Sequence, residues 1–500
     1  MQTSYFELWL GAWPSAIDWT AAVMNTHIAA SLATLSKALD AGTGTAYVRD
    51  IENELNRYFG QSAAYYFGED TFAIRNEAFD DMLWVVLAWL EHIRFMQIHS
   101  RLHLNKPWHG SQYIPAFAHR AHVFYDLASR GWDESLCGGG MVWNPVLEPY
   151  KNAITNQLWI SASVGMYLHF PGDNNSFPFM NQDLDTKGLG HAEPHDTHFL
   201  EAAVQGYSWF KNSNMTNTQG LYVDGFHISG LKRNSTTCDD RNEMIYTYNQ
   251  GVILSGLRGL WESTGNTTYL EDGHELVRNV MKATGWIVDR GAPTSTFEWA
   301  GLGRAGILEE MCDAKGDCSQ DAQTFKGIYF QHLGQFCEPL PREPLYPGKT
   351  YSADKQLAAL HDRSCQEYAP WIAHNARAAV GTRDAGGRYG GWWSASSGTF
   401  LSAELPHGAT DYRNNASELL SWPWASASQM QGSAHASYKI VEQVFMPSQR
   451  GHDTAQQPLD AKANARAQRD WNDRGRGRTI ETQSGGIAVL KTLWQLMNIA

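Results

Sequence analysis

From Met82 to Leu90 the chain reads Met-Leu-Trp-Val-Val-Leu-Ala-Trp-Leu, apolar on every side, and the pattern continues at helical spacing through Ile98. A helix with no polar face has to be buried all round, so the rest of the chain must enclose it. The clearest partners come as a pair. One helix is predicted from Thr247 to Thr264, with a stop at Gly265. A second restarts near Thr268 and ends at Gly285, each glycine standing where a left-handed C-terminal cap belongs. Val252, Ile253, Leu257 and Leu260 give the first member an apolar stripe, whereas the second alternates Leu270, Leu276 and Val280 with charges. The first reads as an inner helix and the second as an outer one.

Further helical segments are predicted near 17–40, 47–59, 112–130, 152–169, 196–211, 321–334, 353–379, 434–446 and 486–499, with Gly, Pro and Asn clusters between them. Period-2 strands are almost absent. About twelve helices alternating between buried and amphipathic predict an all-α fold, an (α/α)6 toroid of six inner and six outer helices. A helical solenoid is the alternative, but no fixed-length repeat is found. The 500 residues contain no long linker, and a single domain over 1–500 is expected. Two loop-rich regions, 171–195 and 381–433, interrupt the helices. The second carries Gly386-Gly387-Arg388-Tyr389-Gly390-Gly391-Trp392-Trp393, which reads equally as a cleft wall or as a plug at the end of a helical barrel.

Hydrophobic residues at 43% and charged residues at 18% suit a packed core and exclude intrinsic disorder. A net charge of -13 and the lack of any long basic run argue against nucleic acid as a partner. With 20 Trp and 21 Tyr, the aromatic content leans toward carbohydrate, because flat C–H faces of sugars stack on aromatic rings.

The six cysteines, at 137, 238, 312, 318, 337 and 365, include no CxxC and no histidine spacing suited to zinc, so neither a metal nor a cofactor is expected. A local disulfide between Cys312 and Cys318 is predicted, and another between Cys337 and Cys365. N-x-S/T acceptor patterns begin at Asn174, Asn214, Asn234, Asn266 and Asn415. Together these features predict a secreted, extracellular protein. The N-terminus lacks a basic region followed by an apolar one, so a signal peptide is expected to have been removed. No apolar stretch reaches the roughly 20 residues of a membrane span, since Glu91, His92 and Arg94 interrupt the longest run.

The segment Asn76-Glu77-Ala78-Phe79-Asp80-Asp81 sets two carboxylates at the start of the most buried helix. Asp is a common N-cap, which is the structural explanation. Adjacent residues inside a helix diverge, but at a helix start they can cooperate. There the dipole favours one ionised carboxylate while its like-charged neighbour and apolar surroundings raise the pKa of the other. A retaining glycosidase needs that division: a nucleophile and a proton donor, about 5 to 5.5 Å apart. Polar groups also precede later helices, at Cys137-Gly138-Gly139-Gly140-Met141-Val142-Trp143, at Tyr150-Lys151-Asn152-Ala153-Ile154-Thr155-Asn156, at Asp224-Gly225, and at Tyr248-Asn249-Gln250.

This succession, followed by Phe325-Lys326-Gly327 and Gly-Gly-Trp-Trp, resembles glycoside hydrolase family 76 from about residue 17 to the end. The resemblance implies an (α/α)6 fold and retaining endo-hydrolysis of α-1,6-linked mannan, the backbone of fungal cell-wall mannan. Asp80 then matches the nucleophile and Asp81 the general acid/base. Sugar contacts are expected from Trp143, Lys151, Asn152, Asn156, Asp224, Tyr248, Asn249, Gln250, Trp392 and Trp393. Phe79 departs from the small or polar residue that often precedes the family's Asp-Asp. Two other readings remain open: a transglycosidase acting on mannose-containing glycan anchors in cell-wall assembly, and an inactive mannan-binding protein, against which the intact Asp pair counts. The expected partner is an α-mannan polysaccharide or oligosaccharide bound by a monomer. The final segment, 485–500, reads as an amphipathic helix without an anchor signal.

Overall fold

The computed structural model describes residues 1–40, 45–103, 108–175, 189–397, 403–414 and 470–498. The helix expected at 434–446 and the acceptor pattern at Asn415 lie outside them. The longer helices, numbered in chain order, are α1 (Asp18–Asp40), α2 (Thr45–Gly68), α3 (Phe79–His103), α4 (Ile114–Ser129), α5 (Ala153–His169) and α6 (Thr197–Asn212). Then follow α7 (Val252–Thr264), α8 (Thr268–Ala283), α9 (Gln320–Phe336), α10 (Lys355–Gly381) and α11 (Ile480–Met497). The helix-rich fold expected from periodicity is present.

Neighbour relations follow the predicted inner and outer classes. α1 packs on α3, α3 on α5, α5 on α7, α7 on α9, α9 on α11, and α11 returns to α1. Each even-numbered helix packs beside one of these: α2 against α1, α4 against α3, α6 against α5, α8 against α7 and α10 against α11. Burial explains the division. α3 and α5 bury residues on every face, whereas α8 buries Leu270, Leu276, Val277 and Val280 and turns Glu271, Glu275 and Lys282 to solvent. Close approach of α9 to α11 depends on glycine, because a Cβ on Gly327 would stand 3.0 Å from the Gly485 Cα.

Several boundaries differ from expectation, among them the start of α11, at Ile480 rather than 486. α7 begins at Val252 rather than Thr247, because Tyr248–Gln250 form a 3-10 turn whose Gln250 amide is bonded to the Tyr222 backbone. α2 continues to Gly68, nine residues beyond the expected end at 59, with the aromatic run Tyr65-Tyr66-Phe67 in its last turns. Gly265 caps α7 in the left-handed conformation, at φ 73°, and its N–H donates to the Trp261 carbonyl.

A short antiparallel sheet prepares the site. Lys151–Asn152 pair with Gly225–His227, which pair with Asp240–Asn242; Lys151 stands opposite Phe226 and Gly225 opposite Asn242. Tyr150, Asp224 and Asn242 are thereby drawn to one place. The expected Cys312–Cys318 and Cys337–Cys365 disulfides are both formed, and a third joins Cys137 to Cys238.

Candidate active site

Asp80 and Asp81 occupy the first turn of α3, one step inside the helix rather than ahead of it. The turn is pinned from outside: the Phe79 N–H donates to the Trp143 carbonyl at 2.9 Å, and the Trp143 N–H donates to the Tyr150 carbonyl at 2.8 Å. Asp80 is buried, at 3% exposure, while Asp81 is half-buried. Helical geometry thus gives the two carboxylates different surroundings.

The difference is electrostatic as well. A guanidinium nitrogen of Arg413 stands 3.5 Å from an Asp80 carboxylate oxygen, and the guanidinium carbon lies 5.4 Å from the centre of the Trp143 ring. Burial raises the Asp80 carboxyl above its ordinary range; Arg413 and the N–H groups of Asp80 and Asp81 pull it back. Asp81 is pushed well above the ordinary range, by burial first, then by the Asp80 charge and by Glu77. In a coupled pair the proton stays on the member farther from compensation. Asp80 is therefore the first to ionise and Asp81 the proton carrier.

Arg413 reaches the site on a strap formed by residues 408–414. The Gly408 carbonyl accepts from the Glu243 N–H, the Asn242 side chain accepts from the Thr410 N–H at 2.8 Å, and the Tyr246 hydroxyl donates to Asp411 at 2.7 Å. Asn414 accepts from the Ser319 N–H at 2.7 Å, tying the strap to the N-cap of α9. Arg413 interacts with Tyr248, Asp80, Asp321 and Asp224, so the starts of α3 and α9, the 3-10 turn before α7 and the short sheet converge on one cation.

Asp224 lies inside, as expected. It is buried, accepts from the Tyr150 hydroxyl at 2.7 Å and from the Asn242 amide at 3.3 Å, and faces the Asn249 amide at 3.5 Å. Burial raises its pKa, and Arg413, Tyr150 and Asn249 oppose that rise. Tyr248 stacks on Phe325, ring centres 3.9 Å apart and 14° from parallel. Asp321, at the start of α9, accepts from the Trp19 indole at 3.0 Å, and Trp19 stacks on Trp84 of α3.

Six of the expected sugar contacts are engaged elsewhere. The Lys151 ammonium donates to the carbonyls of Asp133 (2.8 Å), Gly139 (2.9 Å) and Gly140 (2.6 Å), which uses all three of its protons. Asn156 exchanges hydrogen bonds with both backbone groups of Met141 and donates to the Asn152 carbonyl. Asn152 caps α5 through the Thr155 N–H, and Gln250 is held by Tyr222 and Tyr246. Trp393 is 1% exposed against Phe330 and beneath Lys326, and Trp392 is buried beneath Arg474. The Gly-Gly-Trp-Trp segment thus forms a plug, not a cleft wall. Buried amides and ammonium groups take backbone partners because an unmatched polar atom there is costly.

Sequence reasoning missed Arg413, Asp321, Tyr150, Asn242 and Asp411. Arg413 sits in a loop-rich stretch without helical period, and one arginine among loop residues carries no signal. Two groups of metal-ligand residue types occur among the described residues, His274, His361 with Cys365, and Asp313 with Cys312 and Cys318. In both, the sulfur is committed to a disulfide, which removes the thiolate.

Residues 189–405 match the family model described as glycosyl hydrolase family 76. The chain is 26% identical to the mannan endo-1,6-alpha-mannosidase DFG5 of Saccharomyces cerevisiae over 221 residues, 42% of this chain and 37% of that protein. It is 24% identical to the mannan endo-1,6-alpha-mannosidase DCW1 of Candida glabrata over 226 residues, 44% of this chain and 40% of that one. These matches span about two fifths of the relatives' length. The solved structure of Dfg5 from Chaetomium thermophilum in complex with glucosamine aligns at 16% identity and a TM-score of 0.48, covering 86% of this chain and 82% of that one. The matched residues include Asp224, Tyr248, Asn249, Trp392 and Trp393.

Proposed function

We propose that the protein is a retaining endo-α-1,6-mannanase that cleaves the backbone of fungal mannan, with Asp80 as nucleophile and Asp81 as general acid/base. The observation that carries this reading is the unequal treatment of the pair: Arg413 lies against Asp80, while Asp81 feels the like charges of Asp80 and Glu77. Asp80 attacks the anomeric carbon as Asp81 gives its proton to the leaving glycosidic oxygen. Asp81 then takes a proton from water, whose oxygen displaces Asp80 from the anomeric carbon with overall retention. Asp224, Tyr248, Asn249 and Trp143 belong to the sugar subsite beside the pair.

The closed succession α1, α3, α5, α7, α9, α11, each with an outer helix beside it except α9, supports an (α/α)6 toroid in a single domain over 1–500. In that fold the starts of the inner helices face one axis, which brings Asp80, Asp321 and Tyr248 together across long stretches of chain. Three disulfides support an extracellular, secreted protein. The acceptor asparagines 174, 214, 234 and 266 are all exposed, which supports the same reading. No helix among the described residues is long and apolar enough to cross a membrane.

Incubation with debranched α-1,6-mannan tests the reading directly. Short oligosaccharides that initially keep the α configuration are the expected products. Elongated transfer products would assign the same residues to a transglycosidase, and binding without turnover would reject catalysis.

A further inference from the structure

About two turns along α3 from Asp80, toward the C-terminal ends of the inner helices, a cavity of about 380 Å³ opens among α1, α3, α5, α7 and α9. Protein interiors are close-packed and leave few voids larger than a water molecule. A space of this size falls within the roughly 300–1,000 Å³ range of small-ligand pockets. None of the residues placed at the candidate active site lines it.

Apart from the exposed Arg101, its charges are spent on one another. Arg94 bridges Glu91 at 3.0 Å and also pairs with Glu338, which Lys37 meets at 3.1 Å. Arg258 pairs with Glu262 at 2.7 Å and donates three further hydrogen bonds, to the carbonyls of Phe336, Glu338 and Pro339. His332 and His169 are pushed down to about 3 by burial and stand neutral. Only the solvated Arg101 offers a counter-charge outside these pairs; an ionic ligand placed deeper would have to break a buried pair, and that exchange is unfavourable.

The uncharged part of the lining has two characters. Thr26, Ser161 and Ser255 present hydroxyls; Ser161 donates to the Val252 carbonyl and Thr26 to Ala22, so both oxygens retain acceptor capacity, while Ser255 is shared between the Val252 carbonyl and His332 Nδ1 at 2.7 Å. Beside them the lining carries the aliphatic side chains of Leu87, Leu90, Val164 and Leu168. A neutral pyranose matches both: its hydroxyls donate to the serine, threonine and glutamate oxygens, and its C–H face lies on the leucines.

We propose that this cavity is a second saccharide site, separate from the Asp80–Asp81 pair, that takes a neutral mono- or disaccharide released by the same reaction. The choice of a mannose sugar rests on the proposed hydrolase function; the choice of a neutral polyhydroxyl ligand rests on the cavity alone. Product is thereby held on the face opposite the bond-breaking end.

The test uses the full chain carrying Asp80→Asn, titrated with α-1,6-mannobiose by calorimetry and saturation-transfer NMR. Leu87→Trp fills the cavity from α3 without touching the catalytic pair, and Val164→Phe fills it from α5 should the first variant not fold. Two classes of binding are expected in Asp80→Asn, one of which weakens at least tenfold when either filling substitution is added. Binding that neither substitution changes overturns the second site. Hydrolysis by the otherwise wild-type chain, measured in parallel, separates the two readings. Turnover without substitution-sensitive binding rejects the cavity site alone, and substitution-sensitive binding without turnover rejects the hydrolase alone.

Discussion

The Arg413 guanidinium lies 3.5 Å from the Asp80 carboxylate, 333 positions apart in sequence, and does not pair with Asp81 among the described salt bridges. One cation on one side of a carboxylate pair decides which member ionises first. The proposed mechanism requires Asp80 charged and Asp81 protonated, so the rate is expected to rise with pH as Asp80 loses its proton and to fall as Asp81 loses its own. Arg413→Met removes the attraction that opposes burial at Asp80. Its acid limb is therefore expected to move to higher pH, and turnover at acidic pH to fall. Guanidinium added to Arg413→Ala is expected to restore part of the rate. An unchanged acid limb in Arg413→Met would reject the role given to the pair.

Asp80→Asn and Asp81→Asn should each lower turnover by at least about 10² to 10⁴-fold, the usual contribution of acid-base catalysis. Stability should move the other way. Burial holds both carboxyls above their ordinary range, so charging them at neutral pH opposes folding, and an isosteric amide relieves that cost. Thermal unfolding at pH 7 is expected to show a melting temperature equal to or above wild type in both variants. A large drop would mean that the pair chiefly caps α3.

The start of α3, the alternation of buried and amphipathic helices, two disulfides and the position of Asp224 inside the molecule were all legible in the sequence. Each leaves a local mark: an all-apolar run, a glycine at a cap, a pair of cysteines close in sequence, a carboxylate before a glycine. Arg413 and the Cys137–Cys238 link leave none, because their partners are set by how distant segments fold together. Lys151, Asn156 and Gln250 show the opposite difficulty. A polar side chain before a helix looks the same in sequence whether it meets a sugar or a backbone carbonyl.

A buried acidic cluster next to α9 gives the fold an unusual pH dependence. Burial pushes Glu309 up to about 7 and Glu310 up to about 8, against ordinary values of 4.5, with Arg304 and Lys326 opposing. Both groups hold protons in the folded chain that the unfolded chain has released. Their contribution to stability is complete below about pH 4.5 and is lost as pH rises through 7 to 8. The melting temperature is expected to decline across that window. Glu310→Gln should flatten the decline, and an unchanged slope would place the protons elsewhere.

Cys137–Cys238 closes a segment of 101 positions and ties the Gly138-Gly139-Gly140 turn to the segment before the strand at Asp240. Removing a link across so long a loop should cost about 2–5 kcal/mol. Cys137→Ser with Cys238→Ser is expected to lower the unfolding midpoint by an amount in that range. Denaturant melts of the double variant beside wild type measure it.

Lys151 separates a structural role from a sugar-binding one. Its ammonium is buried and satisfies three carbonyls of the turn that carries Trp143 toward α3, and burial already lowers its pKa to about 8. Lys151→Met keeps the length of the side chain and leaves those carbonyls without a donor, at a cost of about 1–3 kcal/mol for each buried acceptor that finds no other partner. The melting temperature should fall clearly. Because the turn holds Trp143, and Trp143 holds the Phe79 N–H, kcat should fall with it while KM changes little. If KM instead rises several-fold with the melting temperature unchanged, the ammonium binds sugar and the structural assignment is wrong.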